Sequence, residues 1–319
     1  MRGMGLALDV LLFSGIVLFG VGFFWRDRRC HLARLAGWAA FGAFWFLQVP
    51  SFVDQGDPVN ALGAAAALPV FLFFAYHEKF SYDWREEYQP LRFLAGGAFF
   101  AAGIYFAVDR IPPLSAGLIE LVANQTAFLL NGLSPGYSVG PANLAGNAGW
   151  WRVNGEEIYA PVVAAGGTAV VNIILACTAI QGITITAALV PGTTDPPKRK
   201  AFVLAILVPA TYVMNLARNV VVIHLYQGGG EWEFVHNGVG KTLSFVVLLV
   251  LMLLAFWLLP ELYLNINGLF ELPWRRRPGH DYRKHVGRIL GKIARPKAVV
   301  KKLESHDELG SDRDWLEKG

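Results

Sequence analysis

Seven stretches of this sequence, at about 5–25, 35–53, 60–76, 91–108, 169–190, 201–224 and 242–259, are predominantly apolar and bounded by charges, Pro or Gly. Each is close to the ~20 residues a helix needs to cross a bilayer. Helices of that length and character bury their surface against lipid or one another, which leaves few folds open. Composition agrees: of 319 residues, 54% are apolar and 16% are Asp, Glu, Lys or Arg, against roughly 25% charged in an average soluble protein. The sequence predicts an all-α polytopic membrane protein with about seven transmembrane helices.

Charge placement sets the expected orientation. The first stretch is too long for a signal-peptide apolar region and carries its positive cluster on its C-terminal side, so it reads as a retained helix with the N-terminus outside. Four Arg in 26–34, three basic residues in 79–92, Lys198-Arg199-Lys200 and thirteen basic residues after Leu259 then fall on the cytoplasmic side, 23 of 28 in all. Five remain: Arg2, Arg110, Arg152, Arg218 and Lys241. This gives four N-terminal helices in 1–108, a core in 109–262 with an outer loop 109–168 and three helices, and a basic cytoplasmic tail in 263–319. Within the outer loop, 118–130 is too short and interrupted to span and is expected to be interfacial or re-entrant. Trp150, Trp151 and Tyr159 suit the membrane interface. Trp274-Arg275-Arg276-Arg277 reads as an anchor lying on anionic lipid. A net charge of +4 held on one side of a membrane gives no argument for nucleic-acid binding. Cys30 and Cys177 are expected on opposite sides, so no disulfide framework is possible.

An ionisable group inside a span is costly and points to function. Asn215, Arg218 and Asn219, at i, i+3 and i+4, share one helical face. Arg218 lies 17 residues beyond Ala201, roughly 26 Å along a helix and so near its outer end. Cys177, 13 residues before Val190, falls roughly 20 Å above the inner boundary, and Gln181 and Thr184 continue its face at i+4 and i+7 as a polar stripe on an otherwise apolar helix. His236 and Lys241 sit in the short outer loop 225–241. A thiol, a guanidinium and an imidazole thus reach a similar depth, the set that thiol acyl transfer requires. A neighbouring cation favours a reactive thiolate, an Arg donor can hold the tetrahedral oxyanion, and an imidazole can move the proton. Each residue alone has a plainer reading: Cys177 as a small packing residue, Arg218 snorkelling to head groups, His236 as an ordinary loop histidine.

Ala176-Cys177-Thr178-Ala179-Ile180-Gln181, then Asn215-Leu216-Ala217-Arg218-Asn219 after a short basic loop, then His236-Asn237 with Gly240, resemble the exosortase/archaeosortase family of membrane cysteine enzymes, its archaeosortase A branch in particular. The resemblance implies that Cys177 is the nucleophile and Arg218 a catalytic partner. The third position is His236, with Lys241 as a substitute cation; Asn215, Asn219 and Gln181 are supporting. It further implies a cysteine transpeptidase of the cell membrane, multi-pass, whose active site faces outward. Its partners would be secreted proteins bearing a C-terminal Pro-Gly-Phe-type motif, a hydrophobic helix and a basic cluster, and a membrane phospholipid would accept the new C-terminus. No cofactor, metal or nucleic acid is implied, and no metal-ligand spacing is evident at the outer face. Two alternatives stay open: an intramembrane cysteine endopeptidase whose thioester is resolved by water, and a non-enzymatic transporter or assembly protein in which Arg218 and the polar stripes line a path.

Overall fold

The computed structural model describes residues 2–144 and 157–275. In chain order it has α1 (Arg2–Phe24), α2 (Cys30–Phe46), α3 (Val49–Asp54), α4 (Pro58–Trp84), α5 (Gln89–Arg110), α6 (Pro112–Leu133), β1 (Ser138–Val139), β2 (Tyr159–Val163), β3 (Ala169–Ile174), α7 (Ile180–Ala187), α8 (Pro197–Gln227), α9 (Lys241–Leu258) and α10 (Pro260–Phe270). Among the described residues, seven helical segments are long and apolar enough to cross a membrane: Leu6–Phe24, Cys30–Asp54, Pro58–Trp84, Gln89–Arg110, Pro112–Leu133, Pro197–Gln227 and Phe234–Leu258. The expected fold class is borne out, with one small antiparallel sheet, order β1-β2-β3, added to the helices. Trp150, Trp151 and the tail from Arg276 onward lie outside the described residues.

One expected span and one expected interfacial segment exchange roles. Residues 169–190 do not form a continuous helix; they give β3, a 3-10 turn at Leu175–Cys177, the short α7 and a second 3-10 turn at Val190–Gly192. The run Val170-Val171-Asn172-Ile173-Ile174 is mostly β-branched and suits a pleated strand, and β2 supplies the antiparallel partner its backbone requires. Hydropathy is blind to this choice. Conversely, the expected interfacial segment 118–130 lies inside the 22-residue α6. Pro112 and Pro113 open that helix where missing N–H groups cost nothing. Two of its interrupting polar residues are answered from far along the chain: Glu120 Oε1 accepts from Ala142 N at 2.8 Å, and Gln125 Oε1 from the Tyr212 hydroxyl at 2.5 Å.

The described residues divide into two compact units, 6–99 with 261–275, and 2–5 with 100–144 and 157–260. In the first, Phe19, Trp38, Phe41, Phe71 and Phe74 interlock, with Trp38 stacked on Phe71 at 5.6 Å. Close by in sequence is a fully buried charge cluster. Arg34, expected among the solvated positive-inside residues, instead pairs through Nε with Glu78 Oε1 and through Nη2 with Glu87 Oε1, both at 2.8 Å. Its Nη1 donates to the Gly22 carbonyl at 3.0 Å, and His31 Nδ1 meets Glu78 Oε2 at 2.9 Å. Arg34, His31 and Glu78 are each 0% exposed. The helices run past the hydropathy boundaries, so these charges ride on α2 and α4 inside the packing. Gly22 is required there, because a Cβ would stand 2.3 Å from Arg34 Cγ.

Arg275 is a second correction. It does not lie on lipid but is buried, with Nη1 donating to the His77 carbonyl at 3.1 Å and Ser81 Oγ at 3.0 Å, and its guanidinium 4.6 Å from the Tyr88 ring centre. Such a site is more apolar than a head-group region, and the aromatic face and backbone carbonyl offset the desolvation of the cation.

Removing one partner of a buried ion pair strands the other. Glu78→Gln is therefore expected to destabilise the protein by about 3–5 kcal/mol, read as a lower midpoint in denaturant unfolding of the detergent-solubilised protein. A loss no larger than that of an exposed pair such as Lys79–Asp83 would contradict this assignment.

Candidate active site

The second unit holds the residues singled out by the sequence. Its core packs α6 against β2 and β3, with Ile119, Val122, Ala160, Val162, Ile173 and Ile223 buried together. Cys177 packs on the margin of that core and is partly exposed. It closes the 3-10 turn that follows β3, so Cys177 and Gln181 do not share one uninterrupted helical face as expected. Leu175 O ties the turn by accepting from both Thr178 N at 3.1 Å and Thr178 Oγ1 at 2.7 Å. Ala179 then takes φ +67°, a left-handed conformation rare for a residue with a Cβ, and α7 begins immediately after. Strain of this kind persists only where surrounding contacts hold it.

Those contacts come from α8. The side-chain amides of Asn215 and Asn219, one turn apart, both donate to the carbonyl oxygen of Cys177, at 2.7 and 3.0 Å. The shared face predicted from their spacing is thus present, and its target is the backbone of the cysteine. Asn219 also faces the guanidinium: its Oδ1 accepts from Arg218 Nη1 at 3.4 Å. Arg218 Nε donates to Gly240 O at 3.1 Å, an oxygen that accepts from Ser244 Oγ at 2.9 Å as well. Among the described residues Arg218 Nη2 has no protein partner. Cys177, Asn219, Arg218 and Gly240 are therefore linked in one chain of hydrogen bonds.

Beside this chain is a cavity of about 230 Å³ whose lining includes Ala176, Ala179, Gln181, Asn215, Arg218 and Ser244. Gln181 Nε2 donates to the Tyr105 hydroxyl at 3.4 Å. Leu248 and Val247 line the same space, so the cavity joins an apolar wall to a few convergent polar groups. Ser244 was not anticipated. The signal available was a hydroxyl four residues after Gly240 in the most apolar span of the chain.

His236 and Lys241 are less closely involved. The expected outer loop is partly helical: Phe234–Gly240 forms a π-helical segment running directly into α9, of which Lys241 is the first residue. His236 stacks on Trp232 with ring centres 4.7 Å apart and 14° between planes. Asn237 Nδ2 donates to Glu233 Oε1 within the same segment. Neither His236 nor Lys241 is among the residues lining the cavity, although their segment carries the Gly240 carbonyl that Arg218 holds. Among the described residues, ligating side chains gather at Cys30, His31 and Glu87, in the other unit, where donor atoms lie within 4.8 Å of one another. Arg34 bonds both Glu87 and His31 there at 2.8 Å and supplies the positive charge.

A family model described as transmembrane exosortase matches residues 10–254. The chain is 29% identical over 238 residues to archaeosortase A of Haloferax volcanii, covering 68% of this chain and 71% of that protein. It is 25% identical over 235 residues to archaeosortase A of Natronomonas pharaonis, covering 70% and 68%. No solved structure matches the chain.

The double clamp on the Cys177 carbonyl makes its own prediction. Asn219→Ala removes one donor and frees Arg218 Nη1, an expected cost of about 1–3 kcal/mol. Alkylation of Cys177 by a maleimide should change in rate by severalfold in Asn219→Ala and more in the Asn215→Ala, Asn219→Ala double variant. An unchanged rate in the double variant would mean that the clamp does not position the thiol.

Proposed function

Because the chain belongs to the transmembrane exosortase family, a membrane sortase-like enzyme acting on proteins, we propose that it is a cysteine transpeptidase. In this reading it removes the C-terminal sorting signal of secreted proteins and joins the new C-terminus to a membrane lipid. The observation that carries the reading is the hydrogen-bonded chain from Cys177 through Asn219 to Arg218 beside a cavity lined in part by apolar side chains.

Cys177 Sγ attacks the carbonyl carbon of the scissile peptide bond. Negative charge moves to the carbonyl oxygen, where a guanidinium that cannot lose its proton stabilises it. Arg218 suits this task because Asn219 and Gly240 hold two of its nitrogens and leave Nη2 available. The carbon–nitrogen bond then breaks, the C-terminal fragment leaves as an amine, and a thioester remains on Cys177. His236 is the proposed proton carrier for that amine, with Lys241 the substitute. The amine of a lipid head group attacks the thioester, restores the thiol and forms a new amide. Asn215 and Asn219 act as positioning residues through the Cys177 carbonyl, and Gln181 lines the cavity that receives the chain.

The active site is proposed to face outward. Lys198-Arg199-Lys200 begins α8, and Asn215 lies 18 residues beyond Pro197, roughly 27 Å along the helix. The cysteine turn is thus held far from the basic cluster that the positive-inside bias assigns to the cytoplasm. Substrates exported across the membrane and lipid of the outer leaflet would both meet it there.

Mass spectrometry of a co-expressed secreted protein with a Pro-Gly-Phe-type tail provides the test. The expected product is a shortened C-terminus carrying a lipid head-group mass, absent with Cys177→Ala. Shortening without added mass would replace transfer by hydrolysis, and a full-length tail with wild-type enzyme would overturn the reading. Arg218→Lys keeps the charge and loses the planar fork, so at least a hundredfold loss of processing is expected (about 2.7 kcal/mol). His236→Ala should also abolish processing; if Lys241→Ala alone does so, the proton-carrying role moves to the lysine.

A further inference from the structure

The three-stranded sheet has one edge that leads to the cysteine. Within the sheet, β2 faces β1 with the odd-numbered members of its strand, since Gly140 N donates to Pro161 O and Asn143 N to Tyr159 O, both at 3.0 Å. Its even-numbered members, Ala160 and Val162, therefore turn their N–H and C=O groups toward β3, opposite Ile173 and Val171. The pairs Tyr159–Ile174 and Pro161–Asn172 are then the non-hydrogen-bonded pairs of the ladder. It follows that the N–H and C=O groups of Asn172 and the N–H of Ile174 point away from β2, out of the sheet's edge, while the Ile174 C=O opens the 3-10 turn at Leu175–Cys177. No partner for those outward groups is found among the described residues. Asn172 is exposed and Ile174 partly so, and the sheet order places β3 at the edge.

An open strand edge is a template for another extended chain, and proteins normally cover or blunt it. Here the edge strand ends at Ile174, three residues before Cys177, with exposed Ala176 between them lining the cavity. Three residues span at most about 10 Å. A peptide paired with Asn172 and Ile174 would thus be carried straight onto the thiol.

We propose that the free edge of β3 binds the substrate polypeptide as a fourth, extended strand, through main-chain hydrogen bonds to Asn172 and Ile174, and so delivers the scissile bond to Cys177. This rests on the transpeptidase reading and names how that site takes its substrate. Main-chain pairing supplies affinity with little demand on side chains. It suits an enzyme whose substrates would share a short motif and differ before it. The rival occupant, a second copy of this chain, would pair edge to edge and block the thiol of both copies.

The test uses a synthetic peptide with a Pro-Gly-Phe-type motif, an apolar segment and a basic cluster, and the full-length enzyme in nanodiscs. Single amides on the N-terminal side of the motif are replaced, one position at a time, by esters that lack the N–H. Binding to Cys177→Ala is followed by fluorescence anisotropy and cleavage by wild type is followed in parallel. The expected result is a five- to tenfold weakening at every second position, with kcat little changed and the positions between within twofold. Uniform or absent effects with an all-amide peptide that is cleaved would overturn the strand-addition proposal and leave the transpeptidase reading intact. An all-amide peptide neither bound nor cleaved would overturn both. On the enzyme, Asn172→Pro deletes an outward N–H but neither ladder donor of β3, and should raise KM about fivefold with kcat little changed. A KM within twofold of wild type in a folded Asn172→Pro would also count against the proposal, and the ester series decides if the proline variant does not fold.

Discussion

A backbone that abandons helical geometry among apolar helices must have each N–H and C=O met by some other group, because lipid offers none. The segment from β3 to α7 depends on this requirement. β2 answers the strand, Leu175 O is answered twice by Thr178, and the carbonyl of Cys177 is answered twice by α8. Among the described residues, the Asn172 N–H and C=O and the Ile174 N–H have no such answer, on the edge proposed to take a substrate chain. The irregularity is therefore not loose packing. Every irregular position with a partner is held from a named neighbour, and the strained φ of Ala179 lies between the clamped carbonyl and the first turn of α7.

The same economy governs the buried charges of the other unit. Arg34 brings a guanidinium wholly out of water, which is tolerable only because Glu78, Glu87 and the Gly22 carbonyl each take part of its charge. Such a network requires its members to arrive from α1, α2, α4 and the turn before α5 in one arrangement. A network of that kind constrains which helices can meet, a role known for buried polar groups in other helical assemblies. Arg275 follows the same rule with a carbonyl, a hydroxyl, two aromatic faces and a more distant carboxylate, Glu86 Oε2 at 3.9 Å from Nη2.

How much of this was legible in the sequence differs by kind of evidence. Apolar length identified the helical membrane class and six of the seven spanning segments, since that signal is a sum over about 20 residues and tolerates local error. It failed for 169–190 and 112–133 because hydropathy does not distinguish a β-branched strand from a helix. Nor does it reveal that Glu120 and Gln125 have partners in Ala142 and Tyr212, far along the chain. The spacing of Asn215, Arg218 and Asn219 was legible, because i, i+3 and i+4 on any helix share a face. Their target was not, since a carbonyl oxygen carries no sequence signature. Arg34 was misplaced for a related reason: a charge beside an apolar run looks like the end of the run, and only a partner 44 residues away, Glu78, makes it part of the interior.

The arrangement of α8 gives these pieces a common logic. One helical face carries, in order, an amide that holds the cysteine's carbonyl, a guanidinium, and a second amide that touches both. Because Asn219 is bonded to each neighbour, a shift of the cysteine turn relative to α8 would disturb the guanidinium as well. Arg218 in turn holds the Gly240 carbonyl at the start of α9, so the segment bearing His236 is tied to the same face. Thiol, cation and imidazole are thus referred to one rigid element. The acyl transfer proposed for this site would pass a negative charge from sulfur to a carbonyl oxygen within a few ångströms, and such a step would need that fixed reference more than any single strong contact.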